Sequence, residues 1–253
     1  LNLGTGAIEL LANAFQTLSI DSDRTHVLTP ITYANDLDVA SDGSVYFSSS
    51  ADRIVTHTTW GNFYDTMRGY LLCACCGYDA GKLLVYNPST RRTTVVLDGL
   101  GFANGVALSK DESWVAVVET NYARILRHWL KGPKVGETEI LVDGLPGIPD
   151  GLARAPDGGF WLALIARLSP VPVLLAPHPW LRQLASYVVQ PLLPIFSKPW
   201  GAVVKLDTSG KPQEALYDMD GHHVSSVSAA AEASDARLFL GNLQGRGISV
   251  VQL

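Results

Sequence analysis

The sequence predicts an all-β protein of the propeller class, on two observations. Short β-rich runs such as "WVAVVE" and "FWLALI" alternate with Gly, Pro, Asp and Asn turn signals, a pattern typical of many short strands. A polar residue also stands seven positions before an Asp in three stretches, spaced 69 and 46 residues apart. Units of about 40–50 residues, each of four strands, are typical of propeller blades. The three pairs are Asn35/Asp42, Asn104/Asp111 and Asp150/Asp157.

The second copy contains a complete blade. "NGVALS" is the innermost strand, and "WVAVVET", "ARILRHWL" and "ETEILVDGL" follow it. In the preceding blade, "GKLLVYNPSTRRTTVVLDGL" forms the outer hairpin, and a weaker fourth copy covers 224–242. The opening residues 1–15 look like outer strands of a further blade. We therefore expect 1–253 to be one partial propeller domain of about four to five blades, truncated at its N-terminal side. A closed four-bladed ring is the alternative.

A proline-rich apolar segment, 168–200, interrupts the blade pattern. A membrane-spanning helix needs about 20 uninterrupted apolar residues, and the prolines exclude that length here. One short helix fits between Pro179 and Pro191. This insertion is expected to be a cap packed on the domain, or else a lid or membrane-surface contact near a binding site.

Composition excludes one class of partner. Of the 253 residues, 47% are hydrophobic and 17% charged, and the net charge is -5 without a Lys/Arg cluster. No nucleic-acid surface is therefore expected.

Cys73, Cys75 and Cys76 lack the second ligand pair of a zinc site, so they are interpreted as small buried side chains or loop thiols.

The repeated polar residues predict a metal site. The first residues of the innermost strands meet at one end of a propeller's channel, so Asn35, Asn104 and Asp150 should aim oxygen atoms at one point. Calcium binds six to eight such oxygens, whereas zinc and copper prefer His or Cys. The alternative is that these residues only form turns. The second member of each pair lies in "SDGS", "KDES" or "PDGG" and is expected to be an exposed, structural turn residue.

Three stretches resemble strictosidine synthase-like proteins, a group that includes the adipocyte plasma membrane-associated protein. They are "ITYANDLDVASDGSVYFSSS", "GFANGVALSKDESWVAVVETNYARILRHWLKG" and "LPGIPDGLARAPDGGFWLAL". "IPDG" is also similar to the wider superfamily of gluconolactonases and senescence marker protein 30. The resemblance implies a six-bladed propeller with calcium in its channel, held by Asn35, Asn104 and Asp150. It also implies a secretory or endomembrane location.

The resemblance implies hydrolysis of an ester or lactone, an arylesterase- or lactonase-like activity on a small molecule with Asp150 as base or nucleophile. Two alternatives stay open. One is a catalytically silent propeller that binds a ligand or partner. The other is the amine–aldehyde condensation of strictosidine synthase, which is disfavoured because Ser226 occupies the position expected for its Glu. Ser226, His222 and His223 are the predicted substrate-binding residues near the channel mouth.

Overall fold

The computed structural model describes residues 5–18, 26–52, 66, 69–70, 73–74, 79–169, 177–178, 180–181, 184, 199–243, 245 and 247–253. Seventeen strands lie in this part of the chain. Their bounds are β1 Ala14–Leu18, β2 His26–Pro30, β3 Ala34–Val39, β4 Val45–Ser49, β5 Gly81–Asn87, β6 Arg92–Leu100, β7 Ala103–Leu108, β8 Trp114–Glu119, β9 Arg124–Trp129, β10 Thr138–Val142, β11 Gly147–Arg154, β12 Phe160–Arg167, β13 Gly201–Leu206, β14 Pro212–Asp218, β15 Val227–Glu232, β16 Arg237–Asn242 and β17 Ser249–Gln252.

The strands form four sheets that follow one another along the chain as propeller blades. The blades are β3–β6, β7–β10, β11–β14 and β15–β17, and each begins with its innermost strand. The inner strands pack in sequence order, with β3 on β7, β7 on β11 and β11 on β15. This arrangement confirms the predicted all-β propeller and shows four blades.

The opening residues do not form a blade of their own. β1 and β2 make an antiparallel hairpin, and β1 runs parallel to β6, where Gln16 pairs with Thr94. The hairpin therefore extends the outer edge of the first blade to six strands. The expectation of a further blade from residues 1–15 was wrong, because an edge strand with free N–H and C=O groups was available to them.

The core lies between blades, and this explains the continuous apolar runs. Side chains of a strand point alternately to opposite faces. On β12, Phe160 and Leu162 pack with Trp114 of the second blade, whereas Trp161 packs with Leu238 of the fourth. Because both faces are buried, "FWLALI" has no polar alternation.

Most of the proline-rich insertion lies outside the described residues. Residues 180, 181 and 184 are helical, within the predicted short helix, and Trp180 and Leu184 are exposed. The predicted lid and the predicted membrane-surface contact remain predictions. Within the described part of the chain, no helix is long and apolar enough to cross a membrane.

Cys73 is buried beside Phe102, as expected for a small core side chain, and Cys75 and Cys76 lie outside the described residues.

Two glycines let the inner strands approach each other closely. A Cβ on Gly105 of β7 would lie 2.4 Å from the backbone nitrogen of Leu152 on β11. A Cβ on Gly151 would lie 2.5 Å from the carbonyl oxygen of Ser228 on β15. Both obstacles are backbone atoms, which cannot move aside as a flexible side chain would.

We predict that Gly105→Ala destabilises the protein by roughly 1–3 kcal/mol, because the added methyl group forces two blades apart. Urea denaturation measures this change. Gly247→Ala is the matched control: Gly247 is exposed, and apart from its chain neighbours no atom of the described residues lies within 4 Å of its added Cβ. The control should stay within about 0.5 kcal/mol of wild type. Equal stability of the two variants would contradict the close packing of β7 on β11.

Candidate metal and substrate site

The structure brings the three predicted ligand residues to one cavity. Asn35 on β3, Asn104 on β7 and Asp150 on β11 all line a space of about 470 Å³. Asn104 Nδ2 donates a hydrogen bond to Asp150 Oδ1 at 2.5 Å. Asn104 is buried, Asp150 is half-buried and Asn35 is exposed. The repeated layout in the sequence thus corresponds to a shared place in the fold, although metal binding itself stays a prediction.

A β-bulge marks this place in every inner strand. The strand pairing shifts between Ala34 and Leu37 in β3, and between Ala103 and Val106 in β7. It also shifts after Pro149 in β11 and after Val227 in β15. A bulge re-aims a side chain out of the regular alternation and is frequent next to functional sites. Here the site residue of each blade lies within the bulge and lines the cavity.

Asp150 is a carboxylate that has no cationic partner among the described lining residues. Its burial raises its pKa from the usual 3.8 to about 7, against the lowering effect of the Asn104 hydrogen bond. The nearby charge of Asp36 adds to the rise. Burial also raises the pKa of Asp36, although its carboxylate accepts hydrogen bonds from the backbone N–H groups of Val106 and Leu37.

One wall of the cavity is aromatic. Tyr33 and Tyr70 both contact Phe102 edge to face, with ring centroids 5.6 and 5.2 Å apart. All three rings line the cavity. The space is therefore polar at the inner-strand end and apolar on this side, as small-molecule sites usually are.

The structure corrects the position of Ser226. In β15, Val227 pairs with Asn242 as Ala34 pairs with Ser49 in β3. The residue equivalent to Asn35 is therefore Ser228, which lines the cavity. Ser226 precedes the strand in a left-handed conformation with φ 52° and is absent from the described lining. Sequence spacing missed this shift because the register depends on the bulge.

His222 and His223 are also absent from the described lining of the cavity. They occupy an exposed loop after β14. The Asp218 carboxylate shapes that loop by accepting the backbone N–H groups of Gly221, His223 and Val224. Asp218 thus fixes the backbone of this loop, and the structure brings neither histidine to the described lining of the cavity.

The turn aspartates are structural, as predicted. Asp42 accepts the Ser44 N–H at 2.8 Å, and Asp111 accepts both the N–H and the hydroxyl of Ser113. Asp157 accepts the Gly159 N–H. All three are exposed.

Besides Ser228, sequence reasoning missed three further site residues. Asp36 had no repeat signal, because the equivalent positions are Gly105 and Gly151. Ser50 and Thr120 carry hydroxyls that line or adjoin the cavity and bond to the site amides. They could have been found, since each directly follows the second strand of its blade.

The donor chemistry of the cavity fits calcium. No group of three or more His, Cys, Asp or Glu able to hold a metal occurs among the described residues, because two of the three candidate ligands are amides. The described lining contains two carboxylates and no Lys, Arg or His side chain. Oxygen donors with uncompensated negative charge suit a hard cation.

These features define a β-propeller with a polar site at the ends of its inner strands. Solved propellers share the fold: a gluconolactonase from Xanthomonas campestris matches with a TM-score of 0.50 and 16% identity, over 88% of this chain and 60% of that one. A calcium-binding regucalcin from Agrobacterium tumefaciens matches with the same TM-score, identity and coverage.

Sequence comparison is more specific. Residues 35–133 match the family model described as strictosidine synthase. The Arabidopsis thaliana protein strictosidine synthase-like 13 is 36% identical over 197 residues, which cover 76% of this chain and 46% of the relative. The human adipocyte plasma membrane-associated protein is 33% identical over 221 residues, covering 85% of this chain and 50% of the relative. The chain thus spans about half the length of these curated relatives. It belongs to the strictosidine synthase-like family.

The raised pKa of Asp150 predicts a pH-dependent stability in metal-free protein. Between about pH 4 and 7 the folded state holds a proton that the unfolded state has already lost, so this residue's contribution to stability falls as pH rises. Asp150→Asn removes the titration. In urea denaturation with a chelator present, the advantage of wild type over the variant should shrink from pH 4 to 7 and then level off. Parallel pH profiles for the two proteins would contradict the raised pKa.

Proposed function

We propose that this chain is the binding and catalytic part of a calcium-dependent hydrolase of small esters or lactones. The observation that carries the proposal is the Asp150 carboxylate, which Asn104 holds at the end of a cavity and whose pKa is raised to about 7. This pKa is that of the metal-free site; a bound cation would lower it and keep the carboxylate ionised, which is the form that accepts a proton or attacks a carbonyl carbon. Few other groups could serve, because no histidine is among the described residues of the lining.

The cation would be held by Asn35, Asn104 and Asp150 together with water. When bound, calcium supplies Lewis-acid polarisation of a carbonyl oxygen. Asp150 takes the proton of the attacking water, or attacks the carbonyl carbon itself. Asn104 fixes the carboxylate through its hydrogen bond to Oδ1, which limits the directions from which Asp150 can reach the substrate.

The aromatic wall supports the choice of substrate class. Tyr33, Tyr70 and Phe102 offer ring faces and edges to the apolar part of a substrate, while the ester or lactone group reaches Asp150. A phenyl ester therefore fits both ends of the cavity.

A catalytically silent propeller is the second candidate, because the same apolar wall could hold a ligand without any chemistry. The condensation of an amine with an aldehyde has less support. The fourth inner strand presents Ser228 to the cavity, and a serine hydroxyl cannot replace a carboxylic acid/base at neutral pH. Glu232, on the same strand, instead accepts a hydrogen bond from Trp161 Nε1 at 2.6 Å.

We expect Asp150→Asn to lower the hydrolysis of phenyl acetate and of a simple lactone by about 10²–10⁴-fold, the range for loss of a general base. Initial rates with saturating calcium, and with a chelator, measure the effect. The amide keeps the shape and one oxygen ligand but cannot accept the proton.

Asn104→Asp in the Asp150→Asn background is the control, since it returns a carboxylate to the site at a different position. It should restore calcium binding in part but not turnover. Intact activity in Asp150→Asn would disprove the mechanism. A wild-type chain that binds calcium but hydrolyses neither compound would favour the silent propeller.

A further inference from the structure

Each site amide is bonded to a buried hydroxyl of its own blade. Asn104 Nδ2 donates to Thr120 Oγ1 at 3.1 Å, and Asn35 Nδ2 donates to Ser50 Oγ at 2.9 Å. Thr120 is 3% exposed and Ser50 1%. Both stand immediately after the second strand, β8 in one blade and β4 in the other. The arrangement is therefore a repeated feature rather than one isolated contact.

Each hydroxyl donates a hydrogen bond to the next blade. Thr120 Oγ1 donates to the carbonyl of Pro149 at 2.9 Å, and Ser50 Oγ donates to the carbonyl of Ala103 at 2.7 Å. In both cases that carbonyl belongs to the residue just before the next blade's site residue. A hydroxyl has one proton, so once it donates to a carbonyl it can only accept. The amide must then present its NH₂ group to the hydroxyl and turn its oxygen away.

The third blade has an apolar side chain where the first two blades have the hydroxyl. Pro149 pairs with Leu164 as Ala103 pairs with Glu119, so Ile165 occupies the place of Thr120. The site residue of this blade is Asp150, which has no NH₂ group to donate. A hydroxyl thus occurs where the site residue is an amide and is replaced by an apolar side chain where it is a carboxylate.

We infer that Ser50 and Thr120 are positioning residues that orient the amides of Asn35 and Asn104, so that both amide oxygens face the cavity and can bind its cation. The inference rests on the proposed calcium site and adds the groups that prepare it. The NH₂ group of Asn104 donates one hydrogen bond to Thr120 and the other to Asp150. The amide oxygen is therefore the atom of this side chain that can bind a ligand. Removing such outer hydrogen-bond partners typically costs about 10–100-fold in metal affinity.

The test compares Thr120→Val, which keeps the shape but removes the hydroxyl, with Thr120→Ser, which keeps the hydroxyl. Calcium chloride is titrated calorimetrically into chelator-treated protein. Thr120→Val should bind calcium about 10–100-fold more weakly than wild type, and Thr120→Ser should keep most of the affinity. Thr93→Val is the matched control, because Thr93 is also buried but lies on the outer strand β6. It should bind calcium as wild type does.

The outcomes separate this inference from the proposed function. If wild type and Thr120→Val bind calcium equally, the positioning role is wrong and the calcium site stands. Equal loss in Thr120→Val and Thr120→Ser would mean that Thr120 acts through packing, which also overturns the inference.

If wild type binds no calcium, the metal-dependent function fails and the positioning role is decided by NMR. Solvent exchange of the Asn104 side-chain NH₂ protons should then be slow in wild type and Thr120→Ser and faster in Thr120→Val. Unchanged exchange in Thr120→Val would overturn the inference on its own.

Discussion

The site depends on how closely the inner strands of successive blades approach one another. Gly105 and Gly151 leave no room for a side chain between β7, β11 and β15. At that separation Asn104, the residue before Gly105, reaches its counterpart Asp150 in the next blade and donates a hydrogen bond to it. Wider spacing would leave each polar side chain in its own solvent-filled gap, without a shared site.

The first blade meets the same constraint with a different residue. Where the other blades have glycine, β3 has Asp36, and its carboxylate accepts the Val106 N–H at 3.0 Å. Two residues further along, Asp38 accepts the Leu108 N–H at 2.8 Å. These side chains satisfy N–H groups on the edge of β7 that no neighbouring strand pairs with. This arrangement places a second carboxylate close to Asp150, and its negative charge adds to the rise in the pKa of Asp150.

The sequence predicted those parts of the site that repeat in register. Asn35, Asn104 and Asp150 could be recognised because the hairpin turns place Asp42, Asp111 and Asp157 at a constant distance behind them. The turn aspartates were also interpreted correctly, since an Asp that bonds to nearby backbone needs only local sequence.

The features that were missed depend on tertiary structure. Ser228 was missed because the bulge in β15 shifts the strand pairing, so counting residues along the sequence does not identify the position equivalent to Asn35. Asp36 was hidden because its role exists only where β3 meets β7. The opening residues pair with β6, a strand more than 70 positions away, and no local pattern encodes such a partner.

Two carboxylates on one face of β3 differ in how their charges are balanced. Asp38 pairs with Arg154 Nη2 at 2.6 Å, so its charge is balanced within the fold. Asp36 and Asp150 face the cavity without any such partner among the described lining residues, and burial raises the pKa of both. Arg154 reaches from β11 to Asp38 on β3, but it is not among the described residues that line the cavity. A buried charge without a partner lowers stability. Buried ionisable groups with shifted pKa values are concentrated at functional sites. The calcium proposed for this cavity would supply a positive charge that no residue of the described lining provides.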